Sequence, residues 1–280
     1  MGPATAVAIE TAGQLHVESI SDYPSFLSLE PVWTDLADHA GIDHPFLSFD
    51  WVRTWWECFG AGKELHILTV HAGRDLIAIA PLMLAQGWMD GFRLRRLQCI
   101  YNDHTPRCDF IIARRPQEVY RAIWTYLLEH RALWDTIELR QLPAGSRTLE
   151  ALSRLAVQDG FLVGLWPSSD SPYLPVRGAW DGYLNSLSRK HRLNMRNRLR
   201  RIRQLGQAEL EQISSSEQVE SALEEGLRIE AAAWKGKAGS AILSQSDLYP
   251  FYKRLAERTG ERGWLRLQFL TVNRRRIAFA

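Results

Sequence analysis

The chain has 280 residues and a mass of 32.1 kDa, enough for one large domain or two of ordinary size. Its 46% hydrophobic content excludes a disordered chain, and its 19 Gly and 12 Pro exclude collagen-like or low-complexity sequence. The formal net charge of +2 hides an asymmetry, because residues 189–203 carry eight Lys and Arg and no acid. The sequence therefore predicts one compact basic element on an otherwise mildly acidic protein, which excludes a uniformly basic nucleic-acid coat protein.

The first half of the chain predicts alternating strands and helices in the order β-α-α-β-β-β-α-β-α-β. A strand at 15–19 precedes helices at 26–39 and 43–60. The later predicted elements are strands at 65–71 and 76–84, further strand material at 93–100 and 109–113 that counts as one element, strands at 136–141 and 161–166, and helices at 117–130 and 146–160.

A Pro- and Ser-rich linker at 166–175 leads into a second series of elements. The series begins with one long basic helix at 181–205. The elements that follow are a strand at 207–213, helices at 218–234 and 247–261, and strands at 264–272 and 276–280.

The second half restarts the element order of the first. Residues 65–80 align with residues 267–280, because both contain Leu-Thr-Val and Ile-Ala-x-Ala, with a two-residue difference in the turn. This echo within a common element order predicts an internal duplication. The second series stops within a hairpin strand, so we expect a truncated chain whose second unit is incomplete.

Cysteine content and hydropathy bear on the cellular location. Cys58, Cys99 and Cys108 form no CxxC pair, which favours a reducing compartment over a disulfide framework. The first twenty residues lack the pattern of a signal peptide. The longest apolar run, at 76–85, is shorter than the about 20 residues needed to span a bilayer. A cytoplasmic protein is the prediction.

Several strings carry a family resemblance. They are PFLSFDWVRTWW (45–56), YNDH (101–104), SRKHRLNMRNRLRRIRQLG (188–206), EAAAWKGKAGSAI (230–242) and FYKRLAERTGERGWLRLQFL (251–270). With the element order, they resemble GNAT-superfamily acetyltransferases of the CelD/BcsL type, which are associated with cellulose or exopolysaccharide biosynthesis. These are relatives of the FemAB-like transferases, which carry two GNAT units in tandem.

The resemblance implies an α/β fold of tandem GNAT-like (acyl-CoA N-acyltransferase) units with mixed central sheets flanked by helices. The first unit would span 15–166, a linker and basic bridging helix 167–206, and the incomplete second unit 207–280. The implied reaction moves an acyl group, by expectation acetyl, from acyl-CoA to an amine or hydroxyl. The implied acceptor is a polysaccharide or cell-envelope precursor. Acetyl-CoA is the expected donor, and no metal is expected.

Two alternatives remain open. A FemAB-like transferase would use aminoacyl-tRNA, whose phosphates the basic helix would meet, and a non-catalytic GNAT-like module would only bind. One departure from the superfamily supports the second alternative. GNAT enzymes usually hold the CoA pyrophosphate on a Gly-rich turn between the fourth strand and the third helix, yet residues 99–115 of the first unit contain no glycine.

Asp103 and His104 are the candidate catalytic residues. Transfer to an amine needs a base that deprotonates the ammonium, and a carboxylate or imidazole can serve. Asn102 and Asp109 lie close to them in sequence. A polar loop or a metal site are the other interpretations, although the DHxxxxD spacing matches no familiar metal pattern.

Arginines of the basic helix are the candidate substrate-binding residues. Arg192, Arg196 and Arg200 follow one another at i, i+4, and each like-charge pair costs about 0.2–0.5 kcal/mol. They are either an anion site for phosphates of CoA, of a nucleotide-linked acceptor or of a membrane surface, or a solvated face. Arg198 falls on the apolar side with His191, so we expect it to pair with a buried acid or to contact substrate.

A Lys- and Gly-rich segment, WKGKAG (234–239), completes the candidates. Gly236 suits the end of a helix, with the lysines favoured by the helix dipole. The resemblance suggests instead that Trp234 and Lys235 contact substrate.

Overall fold

The structure, a computed structural model, describes residues 14–89, 91–168, 170, 172, 174, 175, 177–213 and 216–280. The chain divides into two compact units, Met1–Ser168 (unit 1) and Ser169–Ala280 (unit 2). Each unit is an assembly of sheets and helices, so the predicted mixed α/β class is confirmed.

Unit 1 contains eight strands and five α-helices within its described residues. The strands are β1 (Leu15–Ile20), β2 (Glu64–Leu65), β3 (Ile67–Ala72), β4 (Asp75–Ala80), β5 (Leu82–Met89), β6 (Phe92–Cys99), β7 (Ile111–Ile112) and β8 (Thr136–Glu138). The helices are α1 (Tyr23–Ser28), α2 (Glu30–His39), α3 (Phe49–Phe59), α4 (Pro116–Glu129) and α5 (Arg147–Gln158).

The strands of unit 1 form two four-stranded sheets, ordered β1-β3-β4-β7 and β2-β5-β6-β8. All pairings are antiparallel except β6 with β8, which runs parallel from Arg96↔Thr136 to Gln98↔Glu138. The predicted single strand at 76–84 is divided by Pro81, because proline cannot donate to a sheet ladder.

Two apolar clusters hold unit 1 together. Phe26, Trp33 and Phe49 join α1, α2 and α3, with ring centroids 5.0–6.0 Å apart. The Trp33 indole also donates to the Leu47 carbonyl at 2.8 Å. The second cluster packs α4 and α5 on β3, β4 and β6, with Val119, Ile123 and Leu127 of α4 buried.

Unit 2 contains three strands and five α-helices in its described part. The strands are β9 (Ala208–Ile213), β10 (Leu267–Val272) and β11 (Arg275–Phe279), and the helices are α6 (Trp180–Ser186), α7 (Arg189–Leu205), α8 (Ser216–Ala232), α9 (Trp234–Lys237) and α10 (Leu248–Glu261). The antiparallel sheet has the order β11-β10-β9. Its core joins α8 and α10 to the sheet through Leu223, Leu227, Ala256 and Phe269.

Besides the divided strand, four predicted elements differ from the structure. The helix at 26–39 is two helices, α1 and α2, and the helix at 43–60 begins only at Phe49, after the N-cap Ser48. The strand at 161–166 is irregular chain, because only Phe161 is partly buried while Leu162 and Trp166 are exposed. The helix at 181–205 is two helices. Leu187 is extended, and Ser188 starts α7 by accepting a hydrogen bond from the His191 amide at 3.2 Å.

The β3–β4 hairpin of unit 1 and the β10–β11 hairpin of unit 2 have register shifts at equivalent positions. β3 pairs over its full length with β1, and β10 pairs over its full length with β9. The register shifts at Val70/His71 in β3 and at Leu270/Thr271 in β10, a constant offset of 200 residues. The same offset of 200 residues aligns the two-residue turns and the Ile-Ala-x-Ala strings. The two Leu-Thr-Val strings do not follow it, because their positions in the two hairpins differ by two residues.

Candidate functional site

Helix α7 carries the basic segment, and Arg192 has a structural task there. Its Nη1 donates to the carbonyls of Asn185 at 3.1 Å, Leu184 at 3.4 Å and Leu187. These carbonyls lie at and just beyond the end of α6, where the backbone supplies few donors, and the Leu184 carbonyl also accepts from the Leu187 amide at 3.2 Å. Arg192 therefore caps the preceding helix, which competes with the predicted anion contact.

Three other predicted arginines of α7 are exposed cations. Arg196 and Arg198 make no hydrogen bond or ion pair with any residue that the structure describes, and Arg200 donates to the Asn197 side chain at 3.1 Å. No acidic residue occurs between Asp181 and Glu209 to neutralise them. Because arginine's planar donors suit phosphate, this surface fits the charge of the phosphates of CoA.

Arg198 does not have the buried acidic partner that we expected. The helical period places it with the apolar residues, which predicts a buried acidic partner. The structure leaves Arg198 and His191 exposed, because α7 buries no residue fully. Met195 and Ile202 on the same helix are half-buried.

Trp234 and Lys235 start the short helix α9. The Trp234 side chain is 70% exposed. The Lys235 ammonium lies 2.6 Å from the Glu230 carboxylate, whose other oxygen accepts from the Ile242 amide at 3.0 Å. Lys235 is therefore anchored to its own unit, whereas the Trp234 ring is available for contact.

Asp103 and His104 lie in the loop that follows β6. Asn102 shapes this loop, since its side-chain oxygen accepts from the His104 amide at 3.1 Å and from the Thr105 hydroxyl at 3.4 Å. Asp103 is exposed and His104 is half-buried. The loop starts one residue after Cys99, where β6 has just run parallel to β8, so both side chains lie beyond the carboxyl end of a parallel pair.

Asp109 does not join these two residues. Its carboxylate accepts from the Thr148 hydroxyl at 2.5 Å and from the Phe110 amide at 2.8 Å. Thr148 in turn contacts the Tyr120 hydroxyl at 2.9 Å, so Asp109 belongs to a network that ties β7 to α5. Neighbouring Cys108 and burial raise the pKa of the Cys99 thiol, which keeps it protonated.

The turn before α4 is the place where GNAT enzymes hold the CoA pyrophosphate, according to the resemblance. Here Arg114 pairs with Asp75 at 3.0 Å, and Arg115 pairs with Glu118 at 2.5 Å. Pro116 at the first helical position removes one amide donor. With its cations already paired to carboxylates, this turn of unit 1 does not fit a pyrophosphate.

A cavity of about 510 Å³ in unit 1 involves none of the predicted site residues. Its lining includes Ser19, Trp56, Lys63, Glu64, His66 and Tyr126. These residues come from distant parts of the sequence. The only sequence signal was a histidine within the apolar run Leu65–Val70.

Within the described ranges, no group of three or more His, Cys, Asp or Glu is arranged to hold a metal ion. Nor is any described helix long and apolar enough to cross a membrane.

Residues 189–280 match the family model of the acetyltransferase (GNAT) domain, about a third of the chain. Three solved structures are similar to the chain. A probable acetyltransferase is 13% identical and covers 59% of this chain and 99% of its own (TM-score 0.33). Ribosomal-protein-alanine N-acetyltransferase from Brucella melitensis biovar Abortus 2308 is 13% identical and covers 57% and 99% (TM-score 0.32). A GNAT family acetyltransferase from Staphylococcus aureus subsp. aureus USA300_TCH1516 is 9% identical and covers 57% and 99% (TM-score 0.33).

No curated protein matches the chain. The family match lies wholly within unit 2 and begins at the first residue of α7. The predicted enzyme class, a GNAT-type N-acetyltransferase, is confirmed by this domain.

Proposed function

We propose that the chain transfers an acetyl group from acetyl-CoA to an amine or hydroxyl of a polysaccharide or cell-envelope precursor. The observation that carries the proposal is the acetyltransferase domain match over 189–280, a segment that opens with the exposed cations of α7. Such a cationic surface attracts a donor that carries several phosphates. The acceptor class rests on the resemblance to the CelD/BcsL type.

The reaction itself is a simple exchange at the thioester carbonyl. The acceptor nitrogen or oxygen attacks the carbonyl carbon, the C–S bond breaks, and the CoA thiolate leaves and takes up a proton. The acceptor must lose a proton, which a base removes. We assign that task to His104 or Asp103, because their loop follows the parallel strand pair and leaves both within reach of solvent.

Arg196, Arg198 and Arg200 are proposed to bind the phosphates of the donor, and Trp234 to contact the acceptor. Arg192 is bound to the carbonyls at the end of α6 and Lys235 to the Glu230 carboxylate, and we propose that they hold α7 and α9 in place for these contacts. The tandem arrangement of two GNAT-like units is part of the same proposal. It is supported by the shared strand order and by the register shifts at Val70/His71 and Leu270/Thr271.

The donor contact is tested by titrating acetyl-CoA into the full chain and into a variant with Arg196→Gln, Arg198→Gln and Arg200→Gln. Losing charged hydrogen bonds worth about 1.5–3 kcal/mol each should weaken binding by at least tenfold. The control variant Arg74→Gln, Arg93→Gln and Arg154→Gln removes the same charge from exposed positions of unit 1 and should bind normally. Equal affinities of all three proteins would contradict the assignment.

The acceptor and the base are tested by following CoA thiol release with amino sugars, sugar hydroxyls and amino-acid amines as acceptors. His104→Gln and Asp103→Asn should identify the base, since loss of a general base lowers kcat about 10²–10⁴-fold while KM changes little. Strong, salt-dependent binding of aminoacyl-tRNA without acetyl-CoA turnover would favour the FemAB-like alternative.

A further inference from the structure

The cavity of unit 1 combines polar side chains with aromatic faces. Ser19 comes from the end of β1, and His66 lies between β2 and β3, held by its amide to the Leu82 carbonyl at 3.0 Å. Trp56 belongs to α3 and Tyr126 to α4. Four separate elements thus converge on one space of about 510 Å³, within the usual range for small-molecule sites.

The polar groups of this cavity are held in fixed positions. The Ser19 hydroxyl lies 3.2 Å from His66 Nδ1, and His66 is only 5% exposed. The Tyr126 ring stacks on His130 with centroids 4.0 Å apart and an interplanar angle of 20°. Such fixed groups lose little freedom when a ligand binds.

The cavity is electrically balanced. Burial, and then the neighbouring His130, lower the pKa of His66 to about 4, so the imidazole is neutral near pH 7. The Lys63 ammonium donates to the Phe59 carbonyl at 2.6 Å, and Glu64 beside it is exposed. Opposite charges therefore line the same cavity, so an anionic ligand would be repelled by Glu64 and a cationic ligand by Lys63.

A neutral ligand with several hydroxyls and one apolar face satisfies all of these groups. Hydroxyls can donate to Glu64 and exchange hydrogen bonds with Ser19 and His66. The C–H face of a sugar ring can pack on an aromatic face such as Trp56 or Tyr126. We propose that this cavity binds a neutral pyranose sugar.

This site goes beyond the acetyl-transfer proposal and is independent of it. Every residue of its lining belongs to unit 1, whereas the acetyltransferase match covers 189–280. Sugar binding without acetyl transfer would overturn only the proposed function. Acetyl transfer without sugar binding in the cavity would overturn only this inference.

The test uses the full chain labelled with 5-fluorotryptophan and observed by ¹⁹F NMR. The Trp56 signal is identified by its loss in Trp56→Leu. We expect methyl β-D-glucopyranoside to shift this signal saturably. Glucuronate and glucosamine, the charged counterparts of the same ring, should bind at least about tenfold more weakly. No saturable shift with the neutral sugar, or equal binding of all three, would overturn the inference.

Substitutions of the lining residues test whether the sugar binds in this cavity. Tyr126→Leu should weaken binding about tenfold, and Ser19→Ala several-fold, because each removes one group from the lining. Trp88→Leu is the matched control, since Trp88 is 71% exposed on β5 and outside the cavity lining. Thermal melting of each variant shows that it folds, and Ser19→Ala serves if Tyr126→Leu does not. A loss in the Trp88→Leu control as large as that in the folded cavity variants would overturn the assignment.

Discussion

Acid should destabilise the protein through His66. The imidazole is buried, and its pKa is lowered from 6.5 to about 4, first by burial and then by the positive charge that His130 can carry. Between these two values the unfolded chain binds a proton that the folded chain does not. Stability is therefore complete above pH 6.5 and is lost as the pH falls toward 4.

The size of the effect follows from the two pKa values. The full shift corresponds to at most about 3 kcal/mol. Moving from about pH 7.5 to about pH 5 spans most of the window, so the His66 contribution to the free energy of unfolding should fall by about 2 kcal/mol.

Urea denaturation at these two pH values measures the effect. His66→Gln should remove about 2 kcal/mol of the pH dependence, whatever its stability at neutral pH. His39→Gln changes an exposed histidine of unit 1 and should leave the pH dependence as it is in the wild type. If His66→Gln and the wild type lose the same stability on acidification, His66 is not the buried neutral group described above.

Three further predictions concern unit 2. Arg276 contacts Glu211 at 2.5 Å and Glu225 at 2.7 Å, so Arg276→Gln should lower the free energy of unfolding by about 2 kcal/mol in urea, whereas the exposed Arg275→Gln should not. The Asn273 side chain accepts from the Gln207 amide at 2.9 Å and donates to the Leu205 carbonyl at 3.3 Å, so Asn273→Ala should cost about 1–2 kcal/mol. Gly206→Ala would place a methyl group against the Asn273 side chain and should lower the Tm. In the double variant with Asn273→Ala, the loss of Tm should be smaller than the sum of the two single losses. Strict additivity would contradict this contact.

The sequence predicts local structure well where a local signal decides it. The turn at 73–74 follows from Gly73, whose φ of +64° suits glycine, and the β3–β4 hairpin is found where predicted. The predicted helix boundaries were wrong where a capping residue ends one helix and starts the next within a continuous apolar period. Ser188 is a strong N-cap inside an apolar period, and its cap splits the predicted helix.

The sites were less predictable, because burial and pairing depend on distant residues. The charge of α7 was visible in the sequence, whereas the use of Arg192 as a cap for α6 depends on the break at Ser188. The cavity could not be predicted from its single sequence signal, a histidine within an apolar run. His66 and its partner Ser19 are 47 residues apart, and the Tyr126 ring reaches them only through the packing of α4.

Hydrogen–deuterium exchange of the full chain with and without acetyl-CoA tests the central claim most directly. We propose that the donor binds to the acetyltransferase domain that begins at α7, and the cations of the turn before α4 are already paired with carboxylates. Acetyl-CoA should therefore slow exchange within 189–205 and leave 111–118 unchanged. Protection of 111–118 with no change in 189–205 would contradict the account.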